Sequence, residues 1–282
     1  MIDMIIILAL IWVVFAVVQD FKHREIANWL NFSLIIFVIA IRLFYSIFTG
    51  DYNYIIFGLF GLGVFFIIAH LFYYARVFAG GDAKLMIALG AVIPMANTFY
   101  NNALIFFVFI IALLFAGGIY SLAYSFALVF VNRKKFAGEF KKQFYSHEKY
   151  FFIALGLAFT FIILAILLGT FILAVVSLLI FIIPFLYVYT KSIEKTYMIN
   201  YVEPKKLTIG DWLAEPIKIG NKTINPHWEG LNENQVELIK TSYHKKVLIK
   251  QGIPFSPSFL MAFLIILYIK YFMSSNWGFW GL

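Results

Sequence analysis

The chain has 282 residues, of which 63% are hydrophobic, 20% aromatic and only 13% charged. A water-soluble domain of this size cannot cover itself with so few charges, so the composition excludes a soluble fold and predicts an all-α polytopic membrane protein. Without cysteine there is no disulfide framework and no cysteine-based metal site, and the net charge of +8 is read with its position along the chain.

An apolar run of about 20 residues crosses roughly 30 Å of hydrocarbon, and about eight such runs follow one another. The start "MIDMIIILAL" carries an acid, not a basic leader, and no small-residue cleavage site, so no cleaved signal peptide is expected. The first span is Met4–Val18, the second Trp29–Ile47 and the third Tyr54–Tyr74. The fourth, Lys84–Ala96, is short, and the fifth, Leu104–Val131, is long enough to tilt. The stretch Tyr150–Thr190 has twice the length of one span and is expected to turn at Gly169-Thr170 as a helical hairpin. The last span is Phe255–Met273. The shortness of the fourth run and the split of the hairpin leave a count of six or seven open.

Basic residues test this layout. Every Lys and Arg except Arg42 and Lys270 falls on one side of the eight spans, in a connection or, for Lys84, at the start of the fourth span. Basic connections stay in the cytoplasm, so that side is cytoplasmic and both termini face outward. Arg42 and Lys270 lie within spans near the other face and are expected to snorkel towards it. The charge therefore reports orientation and implies no nucleic-acid partner.

The predicted organisation is membrane helices over 1–131, a basic cytoplasmic loop over 132–149, the hairpin over 150–190, a small cytoplasmic α+β module over 191–253, and a last helix with the aromatic tail "NWGFWGL" over 254–282. In the module, "KLTIGDWL" and "IKIGNKTI" predict short strands around turns. "LNENQVELIK" predicts a helix capped by Asn232, with Gln235 three residues on. Asn221-Lys222-Thr223 matches a glycosylation sequon but falls on the cytoplasmic side and is discounted.

Ionisable residues at a membrane are costly and need a reason. Two acids stand at the inner face: Asp20 after span one and Asp82 before span four. If helix packing brings them together, one proton is shared between them. The ionised partner then takes a proton from water, and the protonated partner hydrogen-bonds a scissile carbonyl. Gly80 and Gly81 would give the backbone unusual freedom and leave room for an extended substrate. Lys84 is an interface anchor with a possible role in tuning Asp82. The plainer readings are that Asp82 is a helix N-cap behind a glycine turn and that Asp20 caps a loop. His23, His70, His147, His227 and His244 show no ligand spacing, so no metal or other cofactor is expected. A transporter or channel using Arg42, His70 and Asp82, or an inactive scaffold of a pilus or secretion machine, are the rival classes.

The two acids sit in contexts that resemble the type IV prepilin and preflagellin peptidase family of membrane aspartyl proteases. "DFKHREIANWL", Asp20 to Leu30, resembles the family's D-x-[KR]-x-x-x-I-P-N stretch, and "AGGDAK", Ala79 to Lys84, its G-x-G-D motif with a following Lys. "QGIPFSPSFLMAF", Gln251 to Phe263, resembles the entry to the last span in archaeal members, and "KLTIGDWLAEPI" the start of their cytoplasmic module. Ala79 stands where the family has Gly, and Ala27 where it has Pro. The resemblance implies Asp20 and Asp82 as the catalytic pair. It implies a substrate class of short basic leaders on prepilin-like or preflagellin precursors, cut at the cytoplasmic edge of the plasma membrane. It also implies that the loop carrying Pro254 and Pro257 could help hold the substrate, although the prolines could equally just start a helix. The four-cysteine site of many bacterial members is absent, which argues against their N-methyltransferase activity.

Overall fold

A computed structural model describes residues 1–220 and 222–272. Asn221 of the sequon, Met273 and the aromatic tail lie outside the described residues. In chain order the helices are α1 (Ile2–His23), α2 (Asn28–Thr49), α3 (Asn53–Tyr74), α4 (Gly80–Val92), α5 (Phe99–Val131), α6 (Arg133–Ser146), α7 (Glu148–Leu168), α8 (Phe171–Ile193), α9 (Glu233–Ser242) and α10 (Ser256–Phe272). Five strands, β1 (Ile199–Val202), β2 (Trp212–Leu213), β3 (Ile217–Ile219), β4 (Lys222–Ile224) and β5 (Val247–Lys250), lie between α8 and α10. Helices α1, α2, α3, α5, α7 and α8 are long and apolar enough to cross a membrane. Large apolar side chains such as Ile36, Ile67, Phe115 and Phe171 are exposed on them, as expected where the solvent is hydrocarbon. The protein is a polytopic all-α membrane protein with a small strand module near the C-terminus.

The described residues form two compact units, one of 1–123 with 254–272 and one within 124–253. The long helix α5 contributes to both. In the first unit the short helix α4 is the centre. Ala83, Leu85, Met86 and all five residues from Ala88 to Val92 are buried, because a helix apolar on every side is stable only when protein surrounds it. Helix α3 approaches α4 through two glycines. A Cβ on Gly61 would stand 2.2 Å from the Gly90 carbonyl oxygen, and one on Gly90 would stand 2.6 Å from Phe65.

At 13 residues α4 is shorter than a bilayer is thick. The chain beyond it, Ile93 to Ala96, is irregular and buried. Backbone groups there cannot reach water and need partners within the protein. Two polar side chains supply them. Asn102 Oδ1 accepts from the Met95 and Ala96 amides, and its Nδ2 donates to the Ala96 and Thr98 carbonyls. Arg42 serves the end of α4. The expectation that Arg42 snorkels outward is wrong: it is 2% exposed and donates to the carbonyls of Ala91, Val92 and Pro94 and to that of Tyr54. Hydropathy registers the charge but not the unpaired carbonyls of a helix that stops inside the protein.

In the second unit, α7 and α8 form a helical hairpin that turns at Gly169, in the left-handed region at φ 62°, where glycine escapes the Cβ penalty. The basic stretch read as a loop contains a helix, α6, started by the Asn132 side chain accepting from the Lys135 amide. Phe136 and Phe144, both half-buried, turn their rings to Tyr189 and Phe185 of α8, an aromatic face that the many lysines of the helix obscure in the sequence. The strand module has β5 between β1 and β2, all antiparallel, and a separate β3–β4 hairpin. Its core includes Leu213, Ile217, Val236, Ile239 and Ile249. Helix α9 carries the full capping box of Asn232 and Gln235. The predicted strand segments hold β2, β3 and β4; β1 and β5 went unpredicted.

Candidate active site

Helix α1 ends at Arg24, whose left-handed backbone (φ 57°) closes the last turn with its amide on the Asp20 carbonyl. That stop leaves Asp20 facing inward, 7% exposed. The chain then turns tightly into α2. The Ala27 amide donates to Gln19 Oε1 at 3.1 Å, a bond that proline could not make. Ala27 nevertheless has φ −61° and ψ 136°, the backbone proline would impose. The departure from the family pattern exchanges a rigid ring for a hydrogen bond and keeps the geometry.

Helix α3 ends in a Schellman motif with Arg76 in the left-handed position: the Val77 amide bonds the Phe72 carbonyl, and the Arg76 amide that of Tyr73. This turn aims Phe78 inward. Its ring meets Phe72 of α3 and Phe255 and Phe259 at the entry to α10. Gly117 of α5 leaves space for Phe255, since a Cβ there would lie 2.5 Å from the ring.

The Phe78 cluster joins the loop before α4 to the start of α10, and that junction builds the surroundings of both acids. Asp20 Oδ2 accepts the Ser256 amide at 3.1 Å, at the first residue of α10. Helix N-termini carry free amides and a partial positive charge, which suits a carboxylate. Asp82 is partly buried as the third residue of α4 and accepts from the amide of Ala79, the N-cap. It is thus not the N-cap itself but supplies the acidic half of a capping box. Phe78, four residues before Asp82, packs on Phe255, the neighbour of Ser256, so both predicted acids border this cluster, each held by an amide at the start of a helix.

The other predicted residues fall around this pair. Gly80 and Gly81 are the first two residues of α4. Neither has a positive φ, and a Cβ on either would make only ordinary contacts, with Tyr73 at 3.9 Å or Ile26 at 3.5 Å. The expectation that they adopt a backbone closed to other residues is corrected. Ala79, at φ −72° and ψ 164°, is likewise in a conformation open to any residue, so the family's glycine is not needed there for backbone reasons. The Lys84 ammonium lies on Asn28 Oδ1 at 2.6 Å and so links the start of α4 to the start of α2. Pro254 is buried just before α10, and Pro257 is its second residue, where a missing amide costs nothing. Ser256, Gln19 and the Phe78 cluster were not foreseen; the first acts through its backbone, which no side-chain pattern reveals.

Arg42, His70 and Asp82 do not share a site. His70 Nδ1 pairs with the Phe66 carbonyl within α3, and Arg42 is at the opposite end of α4 from Asp82. Among the described residues no three His, Asp or Glu side chains stand together as metal ligands.

Residues 7–122, which include both acids, match the model of the type IV leader peptidase family. The chain is 32% identical over 88 residues to a preflagellin peptidase of Methanococcus maripaludis, covering 31% of this chain and 38% of that protein. It is 33% identical over 91 residues to a preflagellin peptidase of Methanocaldococcus jannaschii, covering 32% of this chain and 38% of the relative. A preflagellin peptidase of Methanococcus voltae is 30% identical over 87 residues, 31% of this chain and 37% of its own length. The matches thus span less than two-fifths of the relatives.

Proposed function

We propose that the protein is a membrane aspartyl endopeptidase that removes short basic leader peptides from preflagellin-like or prepilin-like precursors. Cleavage takes place at the cytoplasmic membrane face, where the basic connections lie. What supports this reading is that Asp20 and Asp82, from helices far apart in sequence, each accept an amide at the start of a helix beside the Phe78–Phe255 contact. Such a pair holds one proton. The ionised acid takes a proton from a water between the two, the resulting hydroxide attacks the scissile carbonyl, and the protonated acid donates to the carbonyl oxygen. The proton gained by the first acid then passes to the leaving amine. The family segment and the preflagellin peptidase relatives support the substrate class. Gly80 and Gly81, free of any requirement from their own backbone, are the positions beside Asp82 past which an extended precursor segment would run; Pro254 and Pro257 fix the start of α10 on the Asp20 side.

The test is co-expression with a precursor carrying a basic leader before a hydrophobic helix. Leader removal, read as a mass shift on a gel, is expected with the native chain and with Asp51→Asn, and lost with Asp20→Asn and with Asp82→Asn. Cleavage that survives either dyad substitution sinks the assignment.

A further inference from the structure

The geometry points to Arg42 as a positioning residue for Asp82, acting from the opposite end of α4. This inference rests on the reading of Asp82 as a catalytic acid. Arg42 is almost fully buried; among the described residues no carboxylate is paired with it, and four hydrogen bonds run from it to backbone carbonyls. Three of those, Ala91, Val92 and Pro94, are at the end of α4 or just past it, where helical carbonyls lack partners and the helix dipole is negative. The shortest, to Pro94, is 2.6 Å. The fourth, to Tyr54, reaches the first turn of α3. One guanidinium thereby ties α2, α3 and the end of α4, using the planar fork that lysine lacks.

The space for this side chain is prepared. A Cβ on Gly58 of α3 would lie 2.4 Å from Arg42 Cδ. Helix α2 also holds the other end of α4, through Asn28 and Lys84. With both ends fixed to one helix, α4 can neither slide along α2 nor turn about its own axis. Asp82 is in the first turn, about 14 Å from the Arg42 contacts at 1.5 Å per residue, and a helix transmits displacement along its axis as a rod. Loss of the Arg42 bonds therefore moves the Asp82 carboxyl relative to Asp20 without touching either acid. A displacement of about 1 Å at a reacting group costs on the order of 100-fold in rate.

The experiment uses the full chain in detergent or liposomes with a purified precursor. Arg42→Met is expected to lower kcat about 100-fold and Arg42→Lys about tenfold, with KM within about twofold of native, since no precursor contact is removed. Gly58→Ala, which displaces the guanidinium but keeps it, is expected to follow Arg42→Lys. Because the chain lacks cysteine, nitroxides at Val77→Cys and His23→Cys report the distance between the entry to α4 and the end of α1. That distance is expected to shift or broaden in each Arg42 variant. Should Arg42→Met fail to insert, Arg42→Lys and Gly58→Ala carry the test. Native kcat in the folded variants, or a label distance that does not change, overturns the proposal. If Asp82→Asn cleaves normally, the catalytic reading falls on its own, and the label distance still decides whether Arg42 positions α4.

Discussion

The bond between the Ser256 amide and Asp20 can be removed without removing either side chain that matters. Ser256 is the first residue of α10, where proline is tolerated because its ring presets the helical φ. Ser256→Pro deletes the amide that donates to Asp20 Oδ2 and places a ring carbon where the N–H pointed. Its control is Ser256→Ala. The Ser256 hydroxyl is fully buried and has no hydrogen-bond partner among the described residues, so alanine keeps the amide and discards only a group unsatisfied there. A hydrogen bond to a charged acceptor contributes about 1.5–3 kcal/mol. At about 2–4 °C per kcal/mol for a chain of this size, Ser256→Pro is expected to melt on the order of 3–12 °C below Ser256→Ala. The assay is thermal unfolding of both variants in the same detergent, followed by tryptophan fluorescence. Ser256→Ala itself should match or slightly exceed the native chain. Equal melting temperatures for the two variants would falsify the idea that this amide supports Asp20.

Three more predictions follow from glycine contacts and from the departures at Ala79 and Ala27. Gly61→Ala forces its methyl against the Gly90 carbonyl; the α3–α4 contact must open, costing about 1–3 kcal/mol, and leader cleavage should fall with it, whereas Gly63→Ala, in open space on the same helix, should melt close to native. Ala79→Gly should change stability by no more than about 0.5 kcal/mol, because better N-cap chemistry offsets added backbone freedom; a gain of several degrees would show strain that the φ of −72° does not. Ala27→Pro trades one hydrogen bond, about 1 kcal/mol, for about 0.4–1 kcal/mol of unfolded-state rigidity, so its melting temperature should stay near native, and a large loss would mean that the Gln19 bond holds the whole turn.

The spans were legible because each is a run of apolar residues near bilayer length, a property of local sequence. The α9 capping box was legible for the same reason: Asn232 and Gln235 satisfy each other within one turn. Asp20 and Asp82 could be named as candidates because acids at a membrane stand out. What held them together could not be read. The Ser256 amide belongs to a backbone 236 residues away, and Phe78 was one phenylalanine among 34. The glycines misled for a related reason. Those in the motif are conformationally ordinary, while Gly58, Gly61, Gly90 and Gly117, inconspicuous within apolar runs, are the ones that neighbouring atoms require. Arg42 was misread because a charge in a span suggests water outside, and here it meets the end of a helix inside.

The partner of Asp20 also sets an order of events during synthesis. Ser256 is translated 236 residues after Asp20, a delay on the order of tens of seconds at typical elongation rates. Through that interval α1, α2, α3 and α4 can already be in the bilayer, with both acids present, while the donor that holds Asp20 does not yet exist. The site is completed only when α10 enters and brings Phe255 and Ser256 into place. A chain stalled or truncated before α10 would carry both carboxyls but lack the amide that holds Asp20.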